Sequence, residues 1–254
     1  MNEAWIIDAA RTPRGIGKKG RGALAEIHPQ KILSTVFRSL VERTNISTSD
    51  IDDVIVSCSH QFMKQGNCIG RMAALDAGFS INASGVTLDR FCGGGITSVN
   101  LGAATIMSGM EDLIVAGGVE VMSYYREVEP PNTLDAGNID LREAHPQLSV
   151  GIAADVIASE EGFSRDSLDA FSAESQRRAG AALESGAFTR SLVPVYNSDG
   201  SLALDTEQYP RPATTAEQLG QLKPAFEAQM DMAFADSGMT FREWVNRTWP
   251  DLEV

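Results

Sequence analysis

The chain is poor in cysteine, in histidine and in basic charge, and no long apolar run interrupts it. Each shortage excludes something. Three cysteines (Cys58, Cys68 and Cys92) are an odd number for 254 residues, and none forms a CxxC pair or stands beside a histidine at ligand spacing. Free thiols and no metal are expected. With 21 basic against 34 acidic residues the formal charge is −13, the wrong sign for a surface that must neutralise phosphates, so no nucleic-acid partner is expected. No stretch approaches the roughly 18 consecutive apolar residues of a membrane span. The opening Met1-Asn2-Glu3-Ala4-Trp5 has neither the basic nor the long apolar region of a secretory signal. These features imply no membrane insertion and a cytoplasmic location.

What is present is ordinary for a folded protein: 43% hydrophobic and 22% charged residues. Residues 4–9 (AWIIDA) read as a buried strand closed by Arg11-Thr12-Pro13. Residues 30–44 carry Ile32, Leu33, Val36, Phe37, Leu40 and Val41 at helical spacing, and Val54-Ile55-Val56 follow as a second strand. A helix over 68–77, a strand at Val86-Thr87-Leu88, a helix from Ile96 to Met107 and a strand at 113–118 complete the pattern. The helix from Ile96 is apolar nearly all round and is expected to be buried on most faces.

Strand and helix thus alternate four times, which predicts an α/β layer with a mainly parallel sheet. Residues 121–148 break that rhythm with Pro, Asn, Asp and Gly, and helices are expected at 149–161 and 165–184, the second opened by Ser164. The tail carries Phe234, Phe241, Trp244, Val245 and Trp249, which need a surface to pack on. A basic run at Arg11, Arg14, Lys18, Lys19 and Arg21 reads as a solvated loop.

The most informative segment is Asp89-Arg90-Phe91-Cys92-Gly93-Gly94-Gly95, between a strand end and a helix start. Backbone N–H groups and the positive end of the helix dipole there favour a thiolate, the form that attacks. Gly93, Gly94 and Gly95 remove side chains that would obstruct a substrate and leave N–H donors for an oxyanion. The bland alternative, a small buried cysteine, remains open on these residues alone.

The segment Val86 to Met107 (VTLDRFCGGGITSVNLGAATIM) resembles the stretch around the acylated cysteine of the thiolase family. Ile7-Asp8-Ala9-Ala10-Arg11-Thr12-Pro13 is similar to the first strand and RTP turn of that family, and Gly117 to Ser123 (GGVEVMS) to its GG-x-E-x-MS strand. Asp169 to Ala179 and Arg211 to Phe226 resemble its loop domain. The tail from Lys223 looks more like the linker of thiolases that act in lipid or steroid breakdown.

The resemblance implies a thiolase-like α/β fold, a mainly parallel mixed sheet with helices. Residues 1–120 would form an incomplete amino-terminal layer and 121–254 a loop domain with its linker. It also implies acyl transfer between a 3-oxoacyl-CoA and CoA, with Cys92 holding the acyl group and CoA as a substrate rather than a cofactor. Arg211 and Thr215 match positions near the CoA nucleotide, and a guanidinium suits phosphate. Arg90 would orient the loop.

Relatives use a histidine, a second cysteine and an asparagine from a carboxyl-terminal half, and the chain stops before the Asn-x-Ser-Gly turn that precedes them. His28, His60 and His145 do not match the catalytic histidine; His145 is the best substitute by position. Cys58 and Cys68 are expected to pack. Ser149-Val150 replaces a His-Met pair common in the family. Partners implied are acyl-CoA, CoA, a second copy in a homodimer or tetramer, or a complementary carboxyl-terminal half. The rivals are a truncated, non-catalytic thiolase-like subunit and a decarboxylating condensing enzyme of the same superfamily, which uses a different histidine pair.

Overall fold

The computed structural model describes residues 3–125, 134–234 and 237–252. The chain divides into two units: Met1–Val128 with Gly186–Tyr209, and Glu129–Ser185 with Pro210–Val254.

In the first unit, helix α1 (Pro29–Thr44) begins with Pro29, where a missing N–H costs nothing, and His28 caps it by accepting the Gln30 N–H. Asn45 ends it in the left-handed region, with φ of 55°. Strand β1 (Asp53–Ser57), helix α2 (Ile69–Asp76), strand β2 (Val86–Leu88), helix α3 (Gly94–Ser108) and strand β3 (Ile114–Gly118) follow. The sheet order is β2-β1-β3, all parallel, with Ser57 opposite both Leu88 and Gly118. Parallel strands are apolar on both faces, and β1 obeys: Val54 and Val56 are fully buried in a core with Leu33, Phe37, Ile69 and Phe79. Asp76, accepting from Ser34 and paired with Lys31 and Arg38, ties the end of α2 to α1.

Two expectations are corrected here. Residues 4–9 form no strand; Trp5 (78% exposed), Ile6 and Ile7 face outward. Among the described residues β3 pairs only with β1, so no strand lies between β3 and that segment to make it part of the sheet. Helix α3 is also not buried on most faces. Only its small residues Gly94, Ser98 and Gly102 are covered, laid on β1 and β3, while Ile96 (72% exposed), Val99, Leu101 and Met107 stand open. Ser98 Oγ donates to Gly117 O at 2.8 Å, and a Cβ on Gly102 would reach Ile114 at 3.3 Å, so the small stripe sets how closely the helix approaches the sheet.

Gly186–Tyr209 returns to the first unit and stitches its opening loop. Arg11 N donates to Ser191 O and Val193 N to Arg11 O, both at 2.9 Å. Strands β4 (Val195–Tyr196) and β5 (Leu202–Leu204) form an antiparallel pair whose Val195 and Leu204 join Leu24, Ile32, Val121 and Tyr124 in a second core. The basic run is not uniformly solvated: the buried Glu207 carboxylate takes the Arg14 N–H at 2.8 Å and pairs with the Arg11 and Arg14 guanidinium groups. Burial pushes the Glu207 carboxyl up, but the Arg14 amide and both guanidinium groups outweigh it and hold the carboxyl below its ordinary range.

The second unit is helical. It contains α5 (Ile139–Ala144), α6 (Val150–Glu160), α7 (Arg165–Glu184), α8 (Ala216–Gly220), α9 (Glu227–Met230) and α10 (Phe241–Thr248), while the short α4 (Met122–Tyr125) belongs to the first unit. Ser149 and Ser164 cap α6 and α7 through their hydroxyls. The tail finds its partner surface here: Ile152 and Val156 of α6 form one core with Met230 and Val245, packed by Leu148, Phe241, Trp249 and Leu252. Trp244 is 2% exposed, and Thr240 with Glu243 forms a complete capping box at the start of α10.

Candidate active site

The carboxyl ends of β1, β2 and β3 deliver three short loops to one end of the sheet, the place where open α/β sheets hold their ligands. After β2 comes Asp89, whose Oδ1 accepts the Phe91 N–H at 2.7 Å. Phe91 then sits at φ of 47°, a left-handed conformation costly for a bulky residue. Phe91–Gly93 form a single 3-10 turn that leads directly into α3, and Cys92 is exposed within it. The nucleophile candidate therefore lies at a strand-to-helix turn open to solvent.

The three glycines have different local duties. Gly93 N–H donates to Arg90 O at 3.1 Å and Gly94 N–H to Phe91 O, so both donors are engaged inside the turn. Gly94 is buried against β1, where a Cβ would fall 1.7 Å from Ser57 Oγ. Gly95 faces open space. Arg90 is exposed, and its carbonyl helps close the turn.

The loops after β1 and β3 meet in a polar cluster that the sequence did not single out. Glu120 accepts the Ser59 N–H at 2.9 Å, Gln65 Nε2 at 2.9 Å and the His60 ring at Nδ1, 3.0 Å away. Gln65 is fully buried, and its Oε1 accepts the Val121 N–H at 2.7 Å. Cys58, 1% exposed, lies at the edge of this cluster, and burial together with the Glu120 charge pushes its thiol up to about 12. A thiol held protonated in that way is a packing residue and a poor nucleophile. Cys68 stands at the N-cap position of α2 without capping it, and its thiol donates to Gly85 O at 3.4 Å. His60 stands three residues beyond β1, and no local pattern marks it out.

The other predicted residues lie elsewhere. His28 caps α1, and burial, followed by the Lys64 charge, lowers its pKa. His145 ends α5 and is exposed in the second unit. Arg211 and Thr215 are exposed in that unit as well. Arg211 N donates to Gln176 Oε1 at 2.6 Å, and the Thr215 hydroxyl accepts the Gln218 N–H as the cap of α8. Val150 is exposed at the first position of α6. Among the described residues no group of three or more His, Cys, Asp or Glu is set to hold a metal ion, and no helix is long and apolar enough to cross a membrane.

A family model described as the amino-terminal domain of thiolase matches residues 4–237. The chain belongs to the thiolase family. It is 35% identical over 240 residues to an acetyl-CoA acetyltransferase of Thiocystis violacea, a match covering 88% of this chain and 59% of the relative. A 3-ketoacyl-CoA thiolase of Cronobacter sakazakii is 35% identical over 240 residues, with 89% and 59% covered. A steroid 3-ketoacyl-CoA thiolase of Mycobacterium tuberculosis is 34% identical over 239 residues, with 89% and 57% covered. This thiolase-family chain thus spans less than two thirds of the length of the curated relatives it matches. The α/β architecture with a parallel sheet agrees with the fold expected from the motifs.

Proposed function

We propose that the chain is the amino-terminal half of a thiolase-type acyltransferase acting on 3-oxoacyl-CoA in fatty-acid or steroid breakdown. Cys92 attacks the ketone carbon, acetyl-CoA departs, and the acyl group held on sulfur passes to CoA. Splitting the reaction in this way replaces one hard step by two easier ones. The observation that carries the reading is the exposed Cys92 in the turn between β2 and α3, at the carboxyl end of the parallel sheet. Gly93, Gly94 and Gly95 support that turn; with the first two N–H groups engaged, oxyanion donors come from the rest of the loop or from a partner. Arg211 and Thr215 are assigned to the CoA nucleotide on resemblance alone.

The reading includes a complementary carboxyl-terminal half, which supplies the remaining catalytic groups. The open outer face of α3, the outer edge of β3, which pairs with no further strand among the described residues, and the exposed Trp5, Ile6 and Ile7 support such a covering layer. Association into a homodimer or tetramer belongs to the same reading. The names of the relatives support the substrate class.

The same open face favours a second reading, a non-catalytic thiolase-like subunit that binds CoA or a partner chain. Assay of the purified chain for acetyl-CoA formation, alone and with a thiolase carboxyl-terminal half, separates the two. The proposal expects thiolysis in the complex that is lost in Cys92→Ala; cleavage that survives the substitution overturns it, and no turnover in any complex leaves the second reading standing.

A further inference from the structure

We propose that His28 is an acid-sensitive latch of the first unit: with a neutral ring it closes the start of α1 beside the turn Met63–Gln65, and on protonation it releases both. The latch does not depend on the reaction assigned to Cys92.

His28 Nδ1 accepts the Gln30 N–H at 3.2 Å, and the His28 carbonyl takes the N–H groups of Lys31 at 2.8 Å and Ile32 at 3.2 Å. The ring thus supplies the acceptor that serine or asparagine supplies at other helix starts. An imidazole can do this only while Nδ1 carries no proton and its one N–H sits on Nε2. Protonation sets a donor against a donor, and places a positive ring at the positive end of the helix dipole. The cap is then lost.

The surroundings of His28 act in the same direction. Burial disfavours the charged ring most, followed by the Lys64 charge from the turn Met63–Gln65 and, more weakly, the Lys31 charge on α1 itself; Asp76, at the end of α2, favours it. Asp76 is already engaged by Lys31, Arg38 and the Ser34 hydroxyl. The result is a ring whose pKa lies below its ordinary 6.5. The folded chain therefore binds this proton less well than the open chain, so the stability supplied by the latch is complete above pH 6.5 and is lost as pH falls from there through the folded value.

The turn that carries Lys64 links the latch to the polar cluster. Helix α1 packs against Met63–Gln65. Lys64 N donates to the Tyr124 hydroxyl at 3.2 Å, with Nζ 5.3 Å from the centre of that ring, and Tyr124 shares a core with Ile32 of α1. The next residue, Gln65, is buried and holds both Glu120 and the Val121 N–H. A positive charge on His28 repels Lys64, and so pushes on this turn while it frees α1. Mild acid should open the two segments together.

The test is hydrogen exchange by mass spectrometry on the full chain at about pH 7.5 and about pH 5.5, which bracket histidine titration, corrected for the intrinsic pH dependence of exchange and read in peptides spanning 29–33 and 63–66. Exchange in both segments is expected to rise about fivefold at the lower pH, the usual worth of a helix cap. His28→Asn keeps a capping oxygen that does not titrate, so it should hold both segments at the slow rate at either pH. His28→Ala should show the fast rate over 29–33 at either pH. Titration of the imidazole C–H signals, with that of His28 identified by its loss in His28→Asn, should place its pKa below 6.5, and Lys64→Gln should move it upward. An acid response that is absent from the parent, or that persists in a folded His28→Asn, overturns the proposal, as does a His28 ring titrating at or above 6.5. Opening of 29–33 with no change in 63–66, or a His28 value unmoved by Lys64→Gln, overturns it too, because His28 then acts on α1 alone.

Discussion

Helices α3 and α10 both carry large apolar side chains, and they end in opposite situations. Helix α10 buries Val245 against α6 and Met230, and Trp244 edge-on to Phe234, inside its own unit. Helix α3 spends its small residues on the sheet and leaves Ile96, Val99, Leu101 and Met107 exposed. The apolar side chains of α10 are covered within its own unit, whereas the outer face of α3 stands open beside the candidate site. Apolar content therefore reports what a helix requires, and the rest of the chain decides whether the requirement is met.

The largest effect should come from breaking the closed side of that comparison. Trp244→Ala empties a filled position in the second unit and should cost about 3–5 kcal/mol in denaturant unfolding. An unchanged midpoint would mean that α10 is not part of that core. On the sheet side, Gly94→Ala drives a methyl group into Ser57 and should destabilise by about 1–3 kcal/mol, the usual penalty of overpacking. Adding Ser57→Gly should recover much of the loss, and failure to do so would show that the close approach of α3 to β1 is not what Gly94 serves.

Glu207 gives a smaller effect, set by pH. Its folded pKa is depressed below the ordinary value, so its contribution is present above about pH 4.5 and fades as pH falls through the folded value. Glu207→Gln should flatten the acid limb of the stability curve and cost about 1 kcal/mol at neutral pH; an unaltered acid limb would remove Glu207 from the account. The smallest effect belongs to the open side. Ile96→Lys should change the stability of the chain alone by no more than about 0.5 kcal/mol, yet abolish association with a carboxyl-terminal thiolase half in a pull-down. Intact association would show that the exposed face of α3 is not the covered one.

Much of the fold was legible in the sequence because local periodicity wrote it. Ser164 announced α7, Val54 to Val56 announced β1, and the glycines after Cys92 announced the turn into α3. What failed depended on partners. Residues 4–9 have strand composition, but a strand exists only where another strand offers its edge. The burial of α3 depends on a covering layer that its own composition does not encode. The basic run hid two arginines held by Glu207, a contact 193 residues away from Arg14 that no local pattern encodes. His60 was visible but mute, since its meaning comes from Glu120 and Gln65 on other elements.

The central claim is that the Cys92 sulfur carries the acyl group. Its most direct test is mass mapping of the chain, paired with a thiolase carboxyl-terminal half, after brief exposure to a 3-oxoacyl-CoA and an acid quench. The account predicts an acyl mass increment on the peptide containing Cys92, removed by adding CoA. An increment on Cys58 or Cys68 instead, or CoA-dependent product formation with no adduct on Cys92, would contradict it.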